Sequence, residues 1–326
     1  MCNYDDLGKR IKELSGIGVF REHEPMSGHC TFRAGGKTRF YVETETEQAL
    51  KELLALLGEE GCPWFLLGNG SNLLVSDRGY DGVMIRLGAE FAQLRTEGDV
   101  IRAGAAVPLA RLANAAADEG LTGLEFAGGI PGTLGGALVM NAGAYGGEMA
   151  DVVQWVRLFF PKELPPETER KKWESAGERM FIVPGSEMRF SYRHSLLKEC
   201  RAVALEAGIA LQSGEREAIL DRMAELRKQR SEKQPLEYPS AGSFFKRPEG
   251  AFAGKLIADA GCKGLSVGDA CVSEKHAGFI INKGSASAGD IRALMDEVRE
   301  RVEKGSGIRL EAEVILLGEF GDGRSI

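Results

Sequence analysis

A chain of 326 residues with 43 glycines and a formal net charge of −7 is long enough for two or three compact units. Its glycine share, roughly twice the usual ~7%, points to sites shaped by backbone. The acidic balance, with a pI near 5.4, argues against nucleic acid as a partner, so an anionic ligand would need local Arg and Lys. The six cysteines (2, 30, 62, 200, 262 and 271) form no CxxC and no disulfide framework and are expected as reduced thiols, and the four histidines show no metal-ligand spacing, so no metal is expected.

The N-terminus, with early acids and no apolar h-region, does not read as a secretory signal, which makes the cytoplasm the default compartment. A helix is predicted from Leu7 to Leu14, then a strand from Thr38 to Val42. Thr44 and Glu47 form a T-x-x-E capping box ahead of Leu50, Leu53, Leu54 and Leu57 at helical spacing. Trp64–Leu67 reads as a strand, Gly68-Asn69-Gly70-Ser71-Asn72 as a tight loop at its end, and Leu73–Val75 as another short apolar run. The set describes a small βαβ unit with a glycine loop where α/β folds bind ligands. Gly35-Gly36-Lys37-Thr38 imitates the end of a Walker A loop, but position 31 is Thr and a strand follows; Gly68-x-Gly70 imitates a dinucleotide fingerprint, but position 73 is Leu. Strands are expected at 83–87, across 91–103 with a turn at Glu97-Gly98-Asp99, at 152–160 and at 202–211, with a helix at 108–119. Residues 161–180, rich in Lys, Glu and Pro, read as a solvated surface excursion.

Residues 121–148 (LTGLEFAGGIPGTLGGALVMNAGAYGGE) carry no charge between Glu125 and Glu148. Gly128, Gly132 and Gly136 have the spacing of packed membrane helices, but so many glycines with Pro131 and Asn141, no flanking Lys/Arg cluster and no second apolar span favour tight turns that approach an anionic ligand. No membrane insertion is expected. Beyond a composition shift near 212, Glu215–Arg230 reads as an amphipathic helix, 233–248 as a Pro-bounded loop, Ser287-x-x-Asp290 as the cap of a second helix ending at Gly305–Gly307, and Leu310–Leu317 as the last strand. Three regions result: 1–88, 89–211 and 212–326.

The motifs Gly68–Leu74, 125–148, Tyr192-Arg193-His194-Ser195, Ala241-Gly242-Ser243-Phe244-Phe245-Lys246 and Lys275-His276-Ala277-Gly278-Phe279 occur in an order that resembles the UDP-N-acetylenolpyruvoylglucosamine reductases, flavoenzymes of peptidoglycan precursor synthesis. The resemblance runs from about residue 25 to 320 and is to the shorter second type, which lacks an insertion bearing a mobile Tyr. It implies an α+β fold, with a two-subdomain FAD-binding region like that of vanillyl-alcohol oxidase (the PCMH type) followed by a substrate-binding domain. It also implies NADPH as reductant, UDP-N-acetylglucosamine enolpyruvate as substrate, and a monomer or weak oligomer. Ser243 would donate a proton to carbon, Arg193 would pair the substrate carboxylate, and Glu313 would be the acidic partner. An anion beside an enolate helps only when protonated or when it orients Arg193 or Ser243. Tyr192 and Lys233 would contact substrate, Lys233 at the phosphates. Arg33, Gly68, Asn69, Gly70, Ser71, Asn72, Gly128, Gly129, Ile130, Gly132, Gly135, Gly136, Asn141, Ala142 and Gly143 would line the cofactor. Related oxidases attach FAD through a His after paired glycines; Lys37 stands there in this chain, so noncovalent FAD is implied.

Each residue also has a plain reading: Ser243 as a turn residue, Arg193 as a surface ion pair, Glu311 and Glu313 as one solvated strand face. Two other functions stay open, a flavin oxidase of the same wider fold and a nucleotide-sugar binding protein without redox chemistry. His194 reads as structural, and His276 carries no assigned chemistry.

Overall fold

A computed structural model describes residues 2–320; residue 1 and residues 321–326, included in the first and last regions drawn from the sequence, lie outside the described residues. The Asn3 side chain accepts the Asp6 amide and caps the helix Tyr4–Glu13, which begins before Leu7. The next helix, Glu47–Glu59, is capped by Thr46, whose hydroxyl accepts the Ala49 N–H at 3.2 Å. Thr44, the expected cap, instead ends the strand Thr38–Thr44 and donates to the Arg86 carbonyl, because the extended run continues two residues further than its apolar alternation suggests. Between the expected strands of the βαβ unit the sheet inserts Tyr80–Leu87, in the order Ile17–Glu22, Thr38–Thr44, Tyr80–Leu87, Trp64–Leu67.

The chain divides into two compact units, each assembled from separated segments: residues 1–20, 42–68 and 84–228 in the first, 21–41, 69–83 and 229–326 in the second. The sequence reading drew three contiguous regions. The first unit holds a six-stranded antiparallel sheet, ordered Glu174–Gly177, Met180–Pro184, Val153–Phe159, Val203–Ala210, Val100–Gly104, Leu94–Glu97. Its core includes Leu112, Ala116, Leu134, Leu138, Val156 and Leu158, all buried. In the glycine stretch, short elements alternate with turns: a 3₁₀ turn at Glu125–Gly129, a helix at Leu134–Met140 and a hairpin pairing Gly143–Ala144 with Gly147–Glu148. Among the described residues no helix is long and apolar enough to cross a membrane.

Residues 161–180 are more than a solvated excursion. A helical turn at Glu167–Arg170 leads into Glu174–Gly177, which pairs with Met180–Pro184 and extends the sheet. Trp173 anchors the segment, buried and stacked on Phe160 at 6.0 Å between centroids with Phe181 edge-on. Burying such a ring takes a large apolar surface out of water, a gain offset in part by the indole N–H, which is buried without a hydrogen-bond partner among the described residues at a cost of roughly 1–3 kcal/mol. The charged side chains that dominate the composition lie outside this anchor, which hid it from a reading by composition. A second correction concerns the thiols: Cys2 and Cys62 form a disulfide, with Cα atoms 5.2 Å apart. Nothing in a spacing of 60 residues signals that pairing, since it depends on the N-terminus folding back to the turn after the helix Glu47–Glu59.

In the second unit, the strands Ser240–Ser243, Phe279–Asn282, Ala270–Val272 and Ser266–Val267 form an antiparallel sheet, and Ile315–Leu317 runs parallel to Leu73–Val75. The last strand is shorter than expected: residues 310–314 make only an isolated bridge, Phe245 to Ala312. The helix Ala288–Ser306 has the expected Ser287/Asp290 capping box and ends on left-handed Gly307. Its Ile291, Leu294, Met295, Val298 and Val302 pack with Phe32, Leu74, Phe244 and Phe245 into the core of this unit.

Candidate active site

Ser243 owes its placement to a bulge. The register between Ser240–Ser243 and Phe279–Asn282 shifts between Ser240 and Ser243, and Gly242 takes φ +74°, a left-handed conformation that costs glycine nothing. Such a bulge turns the next side chain out of the regular alternation. Phe244 and Phe245 on the far side of Ser243 are buried in the core, leaving Ser243 half-buried at its rim. Glu313 lies beside this strand. Its N–H donates to the Phe244 carbonyl at 2.8 Å, and its own carbonyl accepts from Asn72 Nδ2 at 3.1 Å. Ser243, Glu313 and the loop 69–72 are thereby joined within the second unit. Lys246 reinforces the pairing through its N–H to the Glu311 carbonyl and its ammonium to the Glu311 carboxylate, 3.0 Å away.

The loop 69–72 fits a diphosphate. It carries no acidic residue, and among the described residues the N–H groups of Gly70 and Ser71 donate to no protein atom. Backbone N–H groups in such a turn form a concavity for anions. Gly70 has φ +61°, and a Cβ there would stand 2.0 Å from the His29 carbonyl oxygen. That carbonyl belongs to the segment leading to Arg33, which is exposed, left-handed (φ 55°) and held between buried Phe32 and Ala34. Phe32 packs edge-on to Phe244 at 5.9 Å, so Arg33 and Ser243 branch from the same core. Buried Asn282 fixes this strap: its Nδ2 donates to the Phe32 carbonyl, while its Oδ1 accepts the Gly284 and Ala286 N–H groups. Asn282, lying in a run of strand formers, carried no sequence signal of this role.

The second glycine stretch lies in the first unit. The N–H groups of Ile130, Gly132, Gly135 and Gly136 donate to the Ala127, Ile130 and Ala105 carbonyls and the Thr133 hydroxyl. Those four amides are therefore engaged within the protein. Gly68 meets this stretch, since a Cβ there would lie 2.8 Å from Thr133 Oγ1. Gly128 lies against the Met223 side chain, and Ala142 and Gly143 lead into the hairpin. Asn141, buried and left-handed (φ 43°), gives its side chain to the protein: Oδ1 accepts the Ala150 N–H and Nδ2 reaches the Ser191 carbonyl.

Arg193 also lies in the first unit, in a turn closed by reciprocal backbone hydrogen bonds between Ser191 and His194. Its φ is 57°, and its guanidinium stands over the Tyr192 ring, which is 53% exposed. A non-glycine residue held in this conformation is strained, and such strain collects at functional sites. The same signature marks Tyr145, which the sequence reading missed: at the hairpin tip it has φ 53°, followed by Gly146 at φ 90°, and is 38% exposed. A bulky aromatic where a hairpin turn favours Asn or Gly was the available signal.

Lys233 is the last residue of the helix Arg216–Lys233, not part of the following loop, and Lys275 reaches the same helix end through the Ser231 carbonyl at 2.6 Å. His276 accepts the Gly278 N–H at Nδ1 (3.1 Å), and the Gly278 carbonyl accepts the Phe244 N–H, so His276 supports the strand that carries Ser243. Burial holds the His276 imidazole below its usual pKa.

Comparison with known proteins decides the family. Residues 234–317 match the C-terminal domain of UDP-N-acetylenolpyruvoylglucosamine reductase, and residues 38–163 match an FAD binding domain. The chain is 44% identical over 313 residues to the UDP-N-acetylenolpyruvoylglucosamine reductase of Caldanaerobacter subterraneus subsp. tengcongensis, covering 96% of this chain and 98% of that one. It belongs to the UDP-N-acetylenolpyruvoylglucosamine reductase family. A relative from Agathobacter rectalis is 45% identical over 95% of this chain and 97% of its own length. The crystal structure of the Thermus caldophilus reductase superposes with a TM-score of 0.76 at 36% identity, over 91% of this chain and 99% of that one. As a member of the reductase family this chain is an oxidoreductase with an α+β, FAD-binding fold of the expected type.

Proposed function

We propose that this reductase converts UDP-N-acetylglucosamine enolpyruvate to UDP-N-acetylmuramate for peptidoglycan synthesis, with NADPH as reductant and FAD held noncovalently. The observation that supports the reading is that the Glu313 backbone links two segments: its N–H donates to the carbonyl of Phe244, the residue after Ser243, at 2.8 Å, and its carbonyl accepts from Asn72 Nδ2, in the loop after Gly70 and Ser71, at 3.1 Å. On this reading Ser243 is the weak acid, Glu313 its carboxyl partner and the loop 69–72 the diphosphate cradle. When bound, FAD supplies the means of passing a hydride from NADPH to the enolpyruvyl carbon.

The chain's own residues handle charge and proton. Hydride addition leaves an enolate-like carbon, a strong base, so the Ser243 hydroxyl is acid enough to protonate it when held at reach. Arg193 pairs the substrate carboxylate with its planar fork and compensates the charge that develops next to it. Tyr192 flanks Arg193 and closes on the substrate, while Lys233 attracts the diphosphate. Gly70 and Ser71 donate N–H groups to the cofactor pyrophosphate, and Arg33 adds positive charge. With Lys37 where covalent relatives have His, denaturation should release intact flavin.

The test is anaerobic. NADPH should bleach the visible flavin band, and UDP-N-acetylglucosamine enolpyruvate should restore it. Ser243→Ala should leave bleaching unchanged and slow the return by roughly 10²–10⁴-fold, the usual worth of a positioned acid. Return only on admitting oxygen would replace this reading with an oxidase, and a protein unable to take up flavin would overturn both. Glu313→Gln divides the uses of that carboxyl: retained activity identifies a neutral hydrogen-bonding role, lost activity a role that needs its charge or its acidic proton.

A further inference from the structure

We propose that Arg189 and the hairpin segment 161–180 are positioning elements for Arg193, an inference that rests on Arg193 being the group that pairs the substrate carboxylate. Arg189 (φ 52°) and Arg193 (φ 57°) are both left-handed within five residues. Each costs about 1–2 kcal/mol against ordinary backbone, so the loop keeps this shape only if its surroundings impose it.

Two sets of contacts do so, both inside the first unit. On one side, Asn141 Nδ2 reaches the Ser191 carbonyl, the Ser195 hydroxyl donates to the Val139 carbonyl at 3.0 Å, and Lys198 Nζ donates to the carbonyl of Arg193 itself at 2.8 Å. On the other side, the Arg189 guanidinium spans two carboxylates. Its Nη2 meets Glu169 Oε2 at 2.6 Å and its Nη1 meets Glu199, whose second oxygen holds His194 Nε2 at 2.8 Å. Lys172 and Glu187 add a contact at 3.5 Å.

Glu169 and Lys172 both belong to the Lys/Glu-rich segment whose composition alone indicates only a solvated face. Isolated pairs as exposed as these are worth little. Here three features distinguish them. The fork of one arginine closes a chain Glu169–Arg189–Glu199–His194 that ends on the residue next to Arg193. Trp173, buried among Phe160 and Phe181, fixes the platform from which Glu169 extends. The Glu199 carboxyl is held below its usual pKa first by the His194 hydrogen bond and then by Arg189. The segment thus sets the direction of the Arg193 turn without touching substrate.

The experiment uses full-length, FAD-loaded Glu169→Ala and Arg189→Lys in the two anaerobic half-reactions, alone and combined with Arg193→Ala. Glu169→Ala should reduce with NADPH at the wild-type rate, while the substrate concentration for half-maximal reoxidation rises about 5–10-fold, the scale of a modest misplacement of an orienting group. In the Arg193→Ala background that rise should vanish, because the segment acts through Arg193. Arg189→Lys, lacking the fork, should resemble Glu169→Ala. Hydrogen exchange of the 189–195 amides, which needs no substrate, should quicken in both variants. Unchanged exchange in well-folded variants, or a reoxidation defect of equal size with and without Arg193, overturns the proposal. Failure of the wild type to reoxidise with the enolpyruvyl substrate would count against the functional reading instead, and the exchange data would still decide the positioning.

Discussion

Gly70→Ala tests how the loop 69–72 is built. The new Cβ would lie 2.0 Å from the His29 carbonyl oxygen, 2.9 Å from Cys30 Cα and 3.0 Å from the His29 carbonyl carbon. All three are backbone atoms, so no side chain can swing aside. Relief requires the 29–31 strap and the loop to part by more than about 1 Å, which strains or breaks the Thr31 N–H and hydroxyl hydrogen bonds to the Gly70 carbonyl at 3.1 and 3.4 Å. Those bonds are worth about 1 kcal/mol each, and a methyl at φ +61° costs a further ~1–2 kcal/mol. The expected total is about 3–4 kcal/mol. Gly250→Ala is the control: its φ is +69° but no atom lies within 4 Å of the added carbon, so only the conformational cost of ~1–2 kcal/mol applies. Urea unfolding of the flavin-free proteins measures both. A fluorescence titration with FAD should show roughly tenfold or greater weakening for Gly70→Ala and none for Gly250→Ala, since 1.4 kcal/mol is a factor of ten. If the two variants unfold within 0.5 kcal/mol of each other and bind FAD alike, the steric argument fails.

The remaining predictions concern stability and pH. Asp77 accepts the Ala288 and Gly289 N–H groups at 2.9 and 2.7 Å, at the start of the helix Ala288–Ser306; Asp77→Ala should lower unfolding stability by about 1–2 kcal/mol and Asp77→Asn by less, the gap shrinking in high salt. Burial raises the Glu47 carboxyl, but hydrogen bonds from Lys51 and Arg157 outweigh it and hold the pKa below 4.5. Its contribution is therefore present above pH 4.5 and lost as pH falls through the lower folded value, and Glu47→Gln should flatten that acid limb in a denaturation series. For His276 the folded pKa lies below the unfolded 6.5 because of burial. Stability should be full above pH 6.5 and decline below it as protonation favours the unfolded chain; His276→Asn, which keeps an acceptor for the Gly278 N–H, should remove this slope while turnover above pH 7 changes little.

What the sequence determined by itself was local or motif-bound. Apolar spacing and caps located the helices Glu47–Glu59 and Ala288–Ser306, with Thr44 mistaken for Thr46 because the two threonines stand two positions apart and the strand runs on to Thr44. Glycine density and neutrality marked 68–72 and 121–148 as turns, and ordered motifs over most of the chain carried the family. Tertiary structure decided the rest. Glu313 N–H reaches the carbonyl of Phe244, the residue after Ser243, Ile315–Leu317 pairs beside Leu73–Val75, and Phe32 packs against Phe244; no local periodicity encodes which distant segments share a core. Composition misread 161–180 because one buried Trp173 outweighs many exposed charges that gain little from being solvated or paired. The left-handed Arg33 and Arg193 conformations were invisible for a related reason: a conformation disfavoured by the residue's own chemistry exists only where its folded surroundings impose it.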